Sequence, residues 1–142
     1  MKKLLLLFVC LFSFSAMSFA DDGKPVSFSQ LPENAKTLIR NHFQVSEIQK
    51  VLLDDDEYEV RLKGGIKIEF EKSGRWKEIE SKKRPVPKSL VPTRIMKEVV
   101  AKFGPQTKVL EISRDDDELE VKLSNGKELK MDRKTKKIEV DD

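Results

Sequence analysis

Cysteine is nearly absent from this chain. The single one, Cys10, lies in an apolar run next to the N-terminus, so no disulfide can form within the remainder. Histidine is as scarce. His42 stands alone, no cysteine is available as a nucleophile beside it, and neither a glycine-flanked serine elbow nor a phosphate-binding loop occurs. These absences exclude the common constellations of hydrolytic and phosphoryl-transfer catalysis; no catalytic residue and no cofactor is expected. The longest apolar run, Leu4 to Phe14, is shorter than the roughly 20 residues a spanning helix needs, so no membrane insertion of the mature chain is expected. Charge of one sign is lacking as well. The net +3 includes Lys2 and Lys3, and without those two the balance is +1. With 37% charged residues of both signs interleaved, there is no electrostatic case for nucleic acid and little for a membrane surface.

What is present begins with a leader. Lys2 and Lys3 precede the apolar run, and Ser18-Phe19-Ala20 places small residues three and one before a cut, which makes residues 1–20 a secretory signal peptide and Asp21 the mature start. Bulky Leu7-Phe8-Val9 ahead of Cys10 speak against lipid attachment there. The expected location is periplasmic or secreted, after cleavage near Ala20. An exported chain without cysteine must draw its stability from a hydrophobic core. Removing 20 of 142 residues leaves 122, enough for one domain or two joined half-domains.

Beyond the leader the chain repeats itself. Asp54 to Phe70, DDDEYEVRLKGGIKIEF, returns sixty-one residues later as Asp115 to Met131, DDDELEVKLSNGKELKM. Both copies run acidic turn, alternating strand, glycine turn and second alternating strand. In the first, Tyr58, Val60 and Leu62 alternate with Glu59, Arg61 and Lys63, which describes a sheet with one dry face and one charged face. Directly paired residues share a face, so a three-residue loop, Lys63-Gly64-Gly65, is needed to set Leu62 opposite Ile66, Val60 opposite Ile68 and Tyr58 opposite Phe70. Gly65 then takes the left-handed position that such loops use. Ser124-Asn125-Gly126 does the same in the second copy, setting Val121 opposite Leu129 and Leu119 opposite Met131, with Lys122 facing Glu128 and Glu120 facing Lys130.

A helix precedes each copy. In Leu31 to Phe43 a proline falls at the first turn, an acid follows it, and Ala35, Leu38, Ile39 and Phe43 share a face; in Val91 to Phe103 the stripe is Ile95, Met96, Val99 and Phe103, ended by Gly104-Pro105. Strand candidates follow over Glu47 to Leu53 and Lys108 to Ser113, where alternation is imperfect and the inward side stays open. Fourth strands are expected over Arg75 to Glu80, anchored by Trp76, and over Lys136 to Val140. The expected division is a signal peptide over 1–20, an extended arm over 21–30, a first unit over 31–80, a proline-stiffened basic connector over 81–90 and a second unit over 91–142. The fold class is therefore α+β: a tandem repeat of one helix plus a four-stranded antiparallel meander. About eight strands would join in one curved sheet with both helices on one face.

Few residues invite a functional reading. His42 reads as a solvated helix residue, matched by Lys102 in the second copy, and Trp76 and Tyr58 read as anchors on the dry face. The acidic turns are the most distinctive exposed feature. Asp55, Asp56, Asp116 and Asp117 are the candidate partner-binding residues, for a protein partner whose identity the sequence does not give. Consecutive carboxylates suit calcium in their oxygen ligands, but the spaced ligands and glycine of a dedicated calcium loop are missing, so no metal-ligating set is assigned.

The two Leu/Val-Pro helices ending in Phe43 and Phe103, the connector Val86-Pro87-Lys88-Ser89-Leu90-Val91-Pro92, and the segments EYEVRLKGGIKIEF and ELEVKLSNGKELKM resemble the exported PepSY-like, beta-lactamase-inhibitor-like family of Bacteroides and relatives. The resemblance implies an architecture similar to the beta-lactamase inhibitor protein and a non-enzymatic, protein-binding role, with restraint of a peptidase or other hydrolase as the narrower expectation. A small-ligand or calcium-binding envelope protein is the alternative. The mature chain departs from the true inhibitor in lacking disulfides, and no inhibitory residue carries over by position.

Overall fold

The computed structural model describes residues 23–141. The expected leader, its cleavage point at Ala20 and Cys10 lie outside these residues. Helix α1 spans Glu33–His42 and helix α2 spans Thr93–Phe103. Each starts directly after a proline, Pro32 or Pro92, whose carbonyl accepts the first helical N–H, from Lys36 in one case and Met96 in the other, both at 3.1 Å. The prolines thus stand just outside the first turn, where a missing N–H costs no helical hydrogen bond.

Strands β2 (Ile48–Asp54), β3 (Glu57–Leu62), β4 (Ile66–Glu71) and β5 (Trp76–Ser81) follow α1, and β6 (Val109–Arg114), β7 (Glu118–Leu123), β8 (Glu128–Asp132) and β9 (Ile138–Asp141) follow α2. A further strand, β1, is supplied by Lys24–Pro25. All nine form one antiparallel sheet whose spatial order is the chain order. The expected count of about eight is therefore corrected to nine. The polar arm is too short to show strand periodicity, but it pairs Lys24 with Leu53 and Pro25 with Leu52 at the sheet edge, where a proline leaves no ladder bond unmade. Short 3-10 turns at Phe28–Gln30 and Lys88–Leu90 occupy the rest of the arm and the end of the connector, while Ser81 belongs to β5.

The hairpin registers are those the alternation demands. Leu62, Val60 and Tyr58 pair with Ile66, Ile68 and Phe70, and Val121 and Leu119 with Leu129 and Met131. Gly65 and Gly126 close the two loops at φ 79° and 87°, which a side chain adopts only under strain. The imperfect alternation of β2 and β6 also has a cause: each carries a register shift, between Ile48 and Lys50 and between Val109 and Glu111. The extra residue resets the period midway.

One hydrophobic cluster joins the helices to the apolar sheet face. Ala35 and Ile39 of α1 and Ile95 and Val99 of α2 are buried with Val60, Ile68, Phe70, Ile79, Ile112, Val121 and Leu129. Leu52 is buried too but lies outside that cluster, opposite Glu59 on the charged side and next to Pro25 of β1.

Candidate interaction face

Because period-2 alternation holds on the paired stretches between the bulges, the residues between the apolar ones form continuous transverse rows. Successive register partners give Glu59, Glu69, Glu78, Ser113, Glu120, Lys130 and Glu139 from β3 to β9. The adjacent row runs Arg61, Lys67, Glu80, Glu111, Lys122, Glu128 and Asp141. Ion pairs run along the rows and between them. Lys67 lies 3.6 Å from Glu80 and 3.8 Å from Glu69, Lys122 lies 3.8 Å from Glu111, and Lys130 lies 3.6 Å from Glu120. Arg61 pairs with Glu59, and Lys77 with Glu57.

These charges are less hydrated than a surface row would be. The Glu69 side chain is 13% exposed and that of Lys130 15%. Long side chains on neighbouring strands shield one another from water, and the titration behaviour follows. Burial pushes Glu69 and Glu120 above the usual carboxylate range, against the pull of Lys67 and Lys130 respectively. Burial also pulls Lys67 down, but Glu80, Glu69, Glu59 and Glu78 together outweigh it and hold the ammonium above its usual value. Glu78 is the extreme case. Burial, a hydrogen bond to Glu111 and the charges of Glu111, Glu69 and Glu80 push it up to about 8.

The acidic turns do not converge on one site. Asp55 and Asp56 tip the β2–β3 hairpin, with Asp55 in the left-handed region at φ 45°, and both are exposed. Asp116 and Asp117 tip β6–β7, four strand spacings away, or about 19 Å at the usual inter-strand distance. Antiparallel order puts the β4–β5 and β8–β9 turns at the same end, and both are basic. Arg75 reaches Asp116 at 3.9 Å, Arg133 donates to the Asp115 carbonyl, and the Arg133 amide donates to the Asp117 carbonyl at 2.9 Å. The second tip is therefore flanked by two arginines, while the Asp116 side chain itself stays 92% exposed. Among the described residues no group of three histidine, cysteine, aspartate or glutamate side chains has the geometry to hold a metal ion.

The other singled-out residues are structural. Trp76 is half-buried against the core, with the Arg114 guanidinium 4.1 Å from its ring centroid and Arg114 Nε donating to its carbonyl at 3.0 Å. His42 is not merely solvated: its Nδ1 lies 2.7 Å from Ser89 Oγ, tying α1 to the connector, and partial burial lowers its pKa. Sequence reasoning missed that Glu78 and Glu111 are diagonal neighbours across β5 and β6. Outward carboxylates at both positions were a signal, but β5 and β6 are separated by residues 82–108, and no turn rule sets their register.

A family described as "putative beta-lactamase-inhibitor-like, PepSY-like" matches residues 19–66 and 56–139. Among solved structures, a "putative periplasmic protein" of Bacteroides vulgatus is 38% identical, with a TM-score of 0.76 over 87% of this chain and 99% of that one. A "putative calcium-regulated periplasmic protein" of Bacteroides thetaiotaomicron is also 38% identical, with a TM-score of 0.78 over the same shares of 87% and 99%. A second periplasmic protein of Bacteroides vulgatus, of unknown function, is 29% identical with a TM-score of 0.71 over 82% of this chain and 95% of that one. No curated protein matches the chain.

Proposed function

The chain belongs to the PepSY-like family, and from that premise we propose that it is an exported, non-enzymatic module that binds another protein through the charged face of its sheet. In this reading the units 31–80 and 91–142 are two copies of one helix-plus-meander motif, joined by the connector 81–90, with both helices on the apolar face of a curved sheet. The observation that carries the proposal is the row of half-buried carboxylates and ammonium groups from β3 to β8, already partly desolvated and held by mutual ion pairs. Charges arranged in this way lose less hydration when a partner covers them than free surface charges do, and they impose a register on it. The periplasmic description of the relatives supports a site of action outside the cytoplasm. The family description supports inhibition of a peptidase or other hydrolase as the narrower reading.

Affinity capture from an envelope extract tests the proposal, with three baits compared: the wild type, a face variant carrying Glu59→Gln, Glu120→Gln and Glu128→Gln, and a tip variant carrying Asp55→Asn, Asp56→Asn, Asp116→Asn and Asp117→Asn. Loss of a partner with the face variant supports the charged face, and loss with the tip variant moves the contact to the acidic turns. Equal recovery by all three baits overturns both. A captured hydrolase whose activity is unaffected by saturating protein overturns inhibition.

Calcium binding is the second reading, favoured by the description of the Bacteroides thetaiotaomicron relative as calcium-regulated. A ligand that binds only the native state raises the melting temperature by mass action. No rise at millimolar calcium removes this reading.

A further inference from the structure

We propose that the open edge of the sheet, strand β9, pairs with β9 of a second copy of this chain across a two-fold axis at Glu139. The two edges of the sheet differ. At one, β1 is two residues long and ends in Pro25, which has no N–H to offer a further strand. At the other, β9 presents Ile138–Asp141 with neither proline nor bulge, and among the described residues it is paired on the β8 side alone. The carbonyl of Lys137, just before β9, accepts the Asp132 amide of β8 at 2.9 Å. Antiparallel alternation then turns the N–H and C=O groups of Ile138 and Val140 away from β8, to the open side.

The charges along this edge identify what fits it. Lys137-Ile138-Glu139-Val140-Asp141 inverts its charge about Glu139. Laid antiparallel on itself with Glu139 at the centre, it sets Lys137 opposite Asp141 and Ile138 opposite Val140, and the two-fold axis repeats each contact. Directly opposed residues share a face, so Ile138 and Val140, both half-buried against the core, continue the apolar face while the charged residues continue the other. Lys137 and Glu139 are exposed, and the Asp141 side chain is 46% exposed with Lys130 at 3.9 Å. The single like-charged pair, Glu139 with its own copy, is flanked in each copy by Lys130, directly opposite it on β8.

Neighbouring registers fit worse. Centring on Val140 sets Glu139 against Asp141, a repulsive contact. Centring on Ile138 sets Val140 against Lys136, whose amide is already given to the Asp132 carbonyl at 2.8 Å. A centre between two residues puts apolar side chains opposite charged ones. With Glu139 at the centre, Ile138 and Val140 exchange backbone hydrogen bonds with Val140 and Ile138 of the second copy, and all of β9 is used. The contact is self-complementary, so it closes as a dimer, and the opposite edge, ending in Pro25, offers no route to a fibre. A single added strand pair makes a small interface, below about 1,200 Å², so the dimer is expected to depend on concentration.

The test uses residues 21–142, which contain no cysteine. Sedimentation velocity between about 10 μM and about 1 mM is expected to show a monomer–dimer equilibrium. Lys137→Glu and Asp141→Lys each make the edge pairs repulsive and are expected to weaken the dimer roughly tenfold. The two substitutions together are expected to restore it, which a merely structural effect of either would not do. Glu139→Cys is expected to oxidise to a disulfide-linked dimer much faster than Lys137→Cys. The central pair is of the non-hydrogen-bonded, closer kind, whereas residue 137 stands opposite residue 141. A protein that stays monomeric across the range overturns the proposal. So does a dimer that the single charge reversals leave unchanged or the double reversal fails to restore, and so does equal crosslinking of the two cysteine variants. Should a charge variant not fold, the two cysteine variants decide alone.

Discussion

Asp115 belongs to the acidic word that the chain writes twice, yet its side chain works for the backbone. Its Oδ1 accepts the N–H groups of Asp117 and Glu118, each at 2.8 Å, and closes the β6–β7 turn. Asp115→Ala is expected to cost about 1 kcal/mol in urea unfolding, the usual worth of such a bond. Asp116→Asn, at a side chain 92% exposed, should leave the urea midpoint unchanged. The same letters turn differently in the first copy, where Asp55 goes left-handed at φ 45°. Sequence could not distinguish the two tips, because what separates them is where the neighbouring arginines reach, Arg75 to Asp116 and Arg133 to the Asp115 carbonyl. It did identify Phe70 as a dry-face residue. With that ring fully buried, Phe70→Ala is expected to cost about 3–5 kcal/mol.

At the level of elements, the β3–β4 and β7–β8 hairpins were readable because two constraints coincide in each: a period of two and a glycine at the left-handed loop position. The β1–β2 and β5–β6 ladders satisfy neither condition. β1 is two residues long, and its partner β2 carries a bulge that breaks the alternation. Its effect is nonetheless local and measurable. Leu52 is 5% exposed on the charged side of the sheet, beside Pro25. Deleting residues 23–26 should uncover it and lower stability by about 2 kcal/mol, the usual worth of a buried leucine, read as a drop in the urea midpoint. If the midpoint is unchanged, the arm contributes nothing to covering Leu52.

The whole molecule is held by one core, and this sets its cooperativity. Ile39 from α1 and Ile95 from α2 are both fully buried in the same cluster, together with Ile79 and Ile112 on either side of the β5–β6 seam. Ile39→Ala and Ile95→Ala, each costing about 2–5 kcal/mol, are expected to shift one common calorimetric transition. Two separate transitions would show instead that the strands after each helix unfold on their own. Fold class was legible at this scale from the repeat. The shared sheet was an expectation, because a unit of about fifty residues buries too little surface alone. The chemistry of the charged face lies in registers across the seam, which the repeat does not encode.

The strand order that equals the chain order also governs how the molecule assembles. Only the β1–β2 and β5–β6 ladders enclose a helix; every other ladder closes through a tight turn. Loop-closure entropy is thus small almost everywhere, and the hairpins can form before the seam exists. In stopped-flow experiments Val60→Ala and Ile68→Ala should slow refolding, whereas Ile79→Val and Ile112→Val should chiefly speed unfolding. The seam would then be the last contact made and the first lost, and the lifetime of the native state would be set where β5 meets β6.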